Sequence, residues 1–171
     1  MSSSSIVTET CEEFRQYVSK FSEKLTHDVV TANERGYKFV SPTVVRFAVG
    51  FVMKKYTAEQ MLLDFIDGSV HLWPQIAVRN EEFFISHAPQ LFGSLPENHV
   101  TAFRLLFSTE DAISKEDRDM LYDYFDNFVH LAFDYIENAP KGKISPEVMD
   151  RYRQPEIRPA IRTIVRRLME Q

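Results

Sequence analysis

The segment Ser114–Asn138, SKEDRDMLYDYFDNFVHLAFDYIEN, decides the fold class of this chain. Its first residues, Ser114 to Asp117, form the pattern of a helix N-terminus, in which the serine hydroxyl accepts a hydrogen bond from a backbone N–H of the first turn. Large apolar residues then recur every three or four positions and define one face: Leu121, Phe125, Phe128, Leu131, Ala132 and Tyr135. The segment therefore predicts a long amphipathic helix over Lys115–Asn138.

Helix starts of the same kind recur along the rest of the chain, and signals for β-strands are scarce. The clearest starts carry a Ser or Thr cap: Thr10 with Glu13, Thr57 with Gln60, Ser41-Pro42 and Ser145-Pro146. They predict an all-α fold, an irregular single-domain bundle of about seven helices. Residues 1–9 are predicted to be a disordered polar tail and residues 10–171 the helical domain. The helix Pro42–Tyr56 is apolar almost all round, which places it at the centre of the bundle beside the long helix.

The composition is that of one globular domain in a reducing compartment. The chain has 171 residues and a net charge of −5, and its 14 Phe and 7 Tyr supply a large core. The single cysteine, Cys11, cannot form an internal disulfide, which favours a cytoplasmic location. The most apolar window, Val44–Met53, is about half the length needed to span a bilayer, so we expect no membrane insertion.

The long helix carries a second pattern, an acidic stripe with one histidine. Its members lie three or four residues apart and so share a face: Asp119, Asp123, Asp126, His130 and Asp134. One interpretation is a small catalytic site with His130 as the titrating group. The other, which we favour, is a solvated outer face, because helical di-metal sites need a Glu-x-x-His pattern on two helices and the chain has none.

No other pattern indicates catalysis. The histidines lack the spacing of a helical zinc motif, and one cysteine excludes a cysteine-rich zinc site. With only five glycines, the sequence contains neither a phosphate-binding loop nor a nucleophile elbow. We therefore predict no catalytic residue, no cofactor and no metal.

The C-terminal helix, from about residue 155 to Met169, is basic. Six arginines and two glutamates lie between positions 151 and 171 of an otherwise acidic chain. Arg158, Arg162 and Arg166 recur every four residues opposite an apolar face. The stripe can dock on the acidic body of its own domain, bind a protein partner, or bind nucleic acid or anionic lipid. The pI of about 5.6 disfavours nucleic acid, because nucleic-acid-binding domains are usually basic overall.

An aromatic and proline-rich stretch between positions 73 and 92 is the other candidate surface. Trp73 and Phe92 bound it, and such residues can supply the anchors of an interface. Large aromatic side chains are more often core residues, which is the alternative interpretation.

Part of the chain resembles a family. The run from His71, HLWPQIAVRNEEFFIS, the pair Leu95-Pro96 and the helix start SKEDR at Ser114 are similar in rhythm to small helical proteins of large nucleocytoplasmic DNA viruses. The resemblance covers about residues 58–138 and brings no catalytic residues with it. It implies a viral protein that acts in the host cell cytoplasm or in the virion.

Together these patterns predict a non-enzymatic protein-interaction or structural protein that is able to self-associate. The candidate partner-binding residues are Arg158, Arg162, Arg166, Trp73 and Phe92. A nucleic-acid-associated accessory protein using the Arg stripe is the first alternative. A small enzyme with a His/Asp site on the long helix is the second.

Overall fold

The computed structural model describes residues 2–92 and 95–171, and these residues form helices and no β-strand. The helices are α1 (Ser3–Glu34), α2 (Pro42–Lys55), α3 (Ala58–Ser69), α4 (Trp73–Val78), α5 (Glu81–Leu91), α6 (Glu97–Ser108), α7 (Lys115–Asn138), α8 (Pro146–Tyr152) and α9 (Ile157–Met169). A single 3-10 turn joins α3 to α4. The all-α prediction is confirmed, and the expected number of about seven helices is close to the number found among the described residues, where the short α4 was not anticipated.

The two longest helices, α1 and α7, form the centre of the bundle and run antiparallel. Phe14 packs against Phe128 near one end of the pair, and Lys24 bonds Asp117 near the other. Between these ends, the buried ring of Phe21 makes edge contacts with rings of α7. Aromatic pairs in such tilted and edge-on geometries add to the free energy gained from area burial.

Several predicted helix ends are confirmed by their hydrogen bonds. Thr57 and Gln60 form a reciprocal capping box, and Ser114 accepts a hydrogen bond from the backbone of Asp117. The start predicted at Thr10 is wrong, because α1 begins at Ser3 and residues 3–9 of the expected tail are helical. Met1 lies outside the described residues. The buried apolar stripe of α1 extends toward its N-terminus as far as Val7.

The position predicted for α2 is also wrong. This helix has two apolar faces, and only one of them, with Val45 and Val52, packs into the protein against α1 and α6. Its other face points to solvent, with Phe47 77% and Phe51 66% exposed. The centre that we assigned to α2 is occupied by α1, whose buried stripe is longer.

Candidate functional site

The predicted Arg stripe lies on the outer face of α9. The inner face of this helix is buried against α4 and α7, and its buried residues are Ile157, Ala160, Ile161 and Ile164. Arg158, Arg162 and Arg166 are exposed. The period of four that groups them in the sequence therefore groups them on the surface as well.

The three arginines differ in what they contact. The guanidinium of Arg158 lies 3.0 Å from Glu137 and stacks over the rings of Phe133 and Tyr152. Arg158 is thus docked on its own domain. Arg162 and Arg166 have no ion pair within residues 2–92 and 95–171. Their charges are available to a partner.

An open apolar groove runs beside Arg162 and Arg166, between α7 and α9. Its floor combines Phe133 with Ile161 and Val165, and Met169, which is 81% exposed, stands at one end. Glu170 completes the rim together with the two arginines. An apolar floor with charged residues along its edge is the surface that an amphipathic helix or extended peptide recognises.

A fourth arginine of α9, Arg167, points inward and was not among the predicted site residues. Its Nε and Nη2 donate hydrogen bonds to the two carboxylate oxygens of Asp126 at 2.7 Å each, and its Nη1 donates to the carbonyl oxygen of Ala77 at 2.8 Å. Asp126 has no exposed surface. This fork-to-fork geometry fixes α9 to α7 and to the end of α4.

Asp126 has a second cationic partner, Arg79, at the C-terminus of α4. Nη2 of Arg79 donates to Asp126 at 2.7 Å and to Asp123 at 2.5 Å. Burial alone would lower the pKa of Arg79, but the hydrogen bonds to the two carboxylates outweigh it and raise the pKa. Arg79 has a left-handed backbone with φ of 53°, a conformation that costs a non-glycine residue about 1–2 kcal/mol. The ion pairs offset that cost.

These contacts change the interpretation of the acidic stripe. Asp126, which we assigned to a solvated outer face, is the buried anchor of two arginines, and Asp123 assists it. His130 and Asp134 remain near the surface with Nε2 and Oδ2 3.6 Å apart. Burial raises the pKa of Asp134, and the charge of His130 acts in the opposite direction. Within the part of the chain that the structure describes, no three His, Cys, Asp or Glu residues are arranged to hold a metal ion.

The structure corrects the assignment of Trp73 and Phe92 to a binding surface. Trp73 is fully buried, its indole N–H donates to the hydroxyl of Ser69 at 3.0 Å, and its ring meets that of Tyr152 edge-on. Phe92 is 4% exposed and packs against the rings of Phe21 and Phe125. Both are core residues, as the alternative interpretation held. They are buried because α8, which is distant in sequence, and the α1–α7 pair cover them.

Cys11 is also buried, and desolvation raises the pKa of its thiol to about 11, with Glu59 and Glu12 acting in the same direction. The thiol is therefore protonated at neutral pH and a poor nucleophile.

The surface that sequence analysis missed is the outer face of α2. Val44, Phe47 and Phe51 are its exposed apolar residues, while every other phenylalanine of the chain is buried or half-buried. The segment 35–58 that contains α2 has five basic residues and no acidic one. That charge pattern was visible in the sequence. It was missed because the all-round apolarity of the helix was interpreted as burial.

No helix among the described residues combines the length and the apolarity that crossing a bilayer requires. Comparison with protein-family models, curated proteins and solved structures finds no match. The resemblance to viral helical proteins therefore stays a prediction.

Proposed function

We propose that this protein is a non-enzymatic interaction protein and that the groove between α7 and α9 binds an acidic, amphipathic segment of a partner protein. One observation carries the proposal. On the same helix, the exposed Met169 and the half-buried Val165 lie beside Arg162 and Arg166, whose charges have no carboxylate partner within the described residues. A surface of this kind stays unsatisfied until a segment with apolar and acidic side chains covers it.

The chemistry of the groove matches such a partner. Arg162 and Arg166 are one helical turn apart, so carboxylates spaced three or four residues apart on a partner helix can pair with both. Arginine binds carboxylates through two parallel hydrogen bonds, which adds geometric selectivity to the attraction. Met169 offers an adaptable apolar contact, because its unbranched thioether side chain fits irregular surfaces.

The alternatives have less support. Nucleic-acid binding would rely on the same two free arginines of the stripe, because Arg158 is paired with Glu137 and Arg167 is turned inward. Phosphate contacts of that number give weak, salt-sensitive association. The enzyme hypothesis would rely on His130 and Asp134 alone, because Asp123 and Asp126 are engaged by arginines. Of the acidic stripe, this histidine–aspartate pair is therefore what is left for a catalytic site at that position.

The test replaces Arg162 and Arg166 together with glutamine, which has a shorter, unbranched polar side chain, keeps helix propensity and removes the charge. The tagged full-length chain is purified from its native cell, and the co-purifying proteins are quantified. We expect at least one acidic partner to be retained by the wild type and lost from the double variant. The matched control is Arg104→Gln, an exposed arginine on α6, which should retain the partner.

The double variant should unfold within about 1 kcal/mol of the wild type, because exposed charges contribute little to folding. Equal recovery of the same proteins with all three chains would overturn the proposal. Sedimentation velocity of the purified chain tests whether a second copy supplies the acidic segment. If the chain is viral, as its resemblance implies, the partner is to be sought in the cytoplasm of the infected cell or in the virion.

A further inference from the structure

The outer face of α2 is a ridge and not a groove. The shallow hollow on it is lined by α2 residues alone: Arg46, Phe47, Gly50, Phe51 and Lys54. No other described element forms a second wall. The helix is held from behind, where Arg15 of α1 donates hydrogen bonds to the carbonyl oxygens of Met53 and Tyr56 near its C-terminus. The exposed rings therefore project from a helix that is itself anchored.

The rings on this ridge are exposed at a cost. Phe47 and Phe51 lie one turn apart, and Val44 lies one turn before Phe47, so the three form one apolar strip. The chain buries or half-buries its other phenylalanines. Contiguous exposed apolar residues of this kind mark an interaction surface more often than isolated ones do.

The charges around the strip select the kind of occupant. Lys38, Arg46, Lys54 and Lys55 are exposed and have no ion pair in the described part of the chain. Glu59, the first acidic residue after α2, faces away and contacts Tyr135 and Lys143. The remainder of the chain carries a net charge of −10, given the total of −5. Positive charge therefore lies around the strip on a molecule that is acidic overall, which favours contact between this face and a negative surface.

A second copy of this chain does not fit these charges. A two-fold contact between α2 ridges would bring lysine against lysine, and the α9 groove of another copy is itself rimmed by Arg162 and Arg166. A partner protein would have to present a deep apolar groove edged with carboxylates to accept the ridge. An anionic bilayer needs no such groove, because its headgroup region deforms around aromatic side chains and is negatively charged.

We propose that α2 docks this protein on the surface of an anionic lipid membrane. The helix lies parallel to the surface, with Phe47, Phe51 and Val44 at the boundary between headgroups and acyl chains. Lys54 and Lys55 bind lipid phosphate and carboxylate groups. This is a peripheral contact with the interface of the bilayer, and it uses a surface separate from the α9 groove.

The test is co-sedimentation of the full-length protein with vesicles of phosphatidylcholine alone, and with vesicles that also contain about 30% phosphatidylserine. We expect binding to the anionic vesicles that is reduced at high salt, and weak binding to the neutral ones. Phe47→Ser with Phe51→Ser should lower the partition coefficient by about tenfold or more. Lys54→Gln with Lys55→Gln should lower it by about thirtyfold on anionic vesicles only.

Two controls keep the outcome specific to α2. Met120→Ser with Lys115→Gln removes an exposed apolar residue and a lysine from α7 and should bind like the wild type. Arg162→Gln with Arg166→Gln should also bind like the wild type, so loss of binding in that variant instead would assign the lipid contact to α9. A Phe47→Trp variant should show a blue-shifted emission with anionic vesicles that brominated lipid quenches, whereas Trp73 is buried and unaffected.

Equal binding to both vesicle types would overturn the electrostatic basis of the proposal. Absence of binding to either type overturns the proposal itself. In that case, sedimentation velocity that changes with the Phe47 and Phe51 substitutions shows the ridge to be a contact between copies. If the wild type and these variants all sediment as monomers, the ridge is to be assigned to a contact with a groove on a partner protein. Neither result bears on the partner of the α9 groove, which is tested by its own variants.

Discussion

Replacing Asp126 with asparagine tests whether the buried ion pairs hold the C-terminal helix on the domain. The substitution keeps the shape of the side chain and removes its charge. In the wild type, the two carboxylate oxygens accept three hydrogen bonds of 2.7 Å, two from Arg167 and one from Arg79. In the variant, an amide N–H₂ group must take the place of one acceptor oxygen and therefore faces a guanidinium donor.

The expected decrease in the free energy of unfolding follows from the partners that each arginine keeps in the variant. Breaking a buried ion pair by removing one partner costs about 3–5 kcal/mol, because a charge is left without compensation. Arg79 keeps its ion pair with Asp123, whereas Arg167 keeps no carboxylate partner and is left with the carbonyl oxygen of Ala77 and the amide oxygen of the new side chain. We therefore expect the lower end of the range, about 3 kcal/mol. For a chain of this size that corresponds to a decrease in Tm of about 6–12 °C.

The assay is urea denaturation followed by far-UV circular dichroism, together with hydrogen exchange of the α9 amides. Asp123→Asn is the matched control: its side chain is 33% exposed, so the loss should be about 1 kcal/mol or less. Replacing Asp126 and Arg167 together with leucine should cost less than Asp126→Asn alone, because no buried charge is left without its partner.

If Asp126→Asn lowers the free energy of unfolding by less than about 1 kcal/mol and leaves amide hydrogen exchange in α9 unchanged, this reasoning is refuted. It would mean that burial of Ile161 and Ile164 holds the helix without help from the ion pairs. An intact Tm with faster exchange confined to α9 would instead show that the ion pairs close a locally unfolding segment.

Three further predictions concern the core. Phe125→Ala should lower the free energy of unfolding by about 3–5 kcal/mol in a denaturant titration, and a loss below about 1 kcal/mol would contradict its central packing. Gly68→Ala should lower the free energy of unfolding by about 1–3 kcal/mol, because the new Cβ would lie 2.7 Å from the carbonyl oxygen of Gln90. Gly50→Ala is its control: the position has open space around it, so the same titration should show no change or a stabilisation of up to about 1 kcal/mol. Burial lowers the pKa of His99 from 6.5 to about 4, so the unfolded state binds a proton first on acidification. Between pH 7.5 and 4.5, the free energy of unfolding of the wild type should therefore fall by about 2–3 kcal/mol more than that of a His99→Gln variant. Parallel plots of unfolding free energy against pH for the two proteins would contradict this prediction.

The sequence by itself determined the features that depend on neighbours within a few residues. The capping box at Thr57 and Gln60, the start of α7 at Ser114 and the buried face containing Phe125 all follow from local hydrogen bonding and helical periodicity. The grouping of Arg162 and Arg166 on one face of α9 belongs to the same class, because a spacing of four residues places them together opposite the apolar face. These parts of the fold and of the candidate site could be read without a structure.

Tertiary structure decided which of several competing apolar surfaces became core. The helix α2 has two apolar faces, and only its packing against α1 and α6 selects Val45 for burial and leaves Phe47 in solvent. The pairing of Asp126 with Arg167 joins residues 41 positions apart, which no local pattern specifies. The physical reason is the same in both cases. Burial free energy depends on the total area that distant helices cover together, so a single helix cannot determine which of its faces its neighbours will bury.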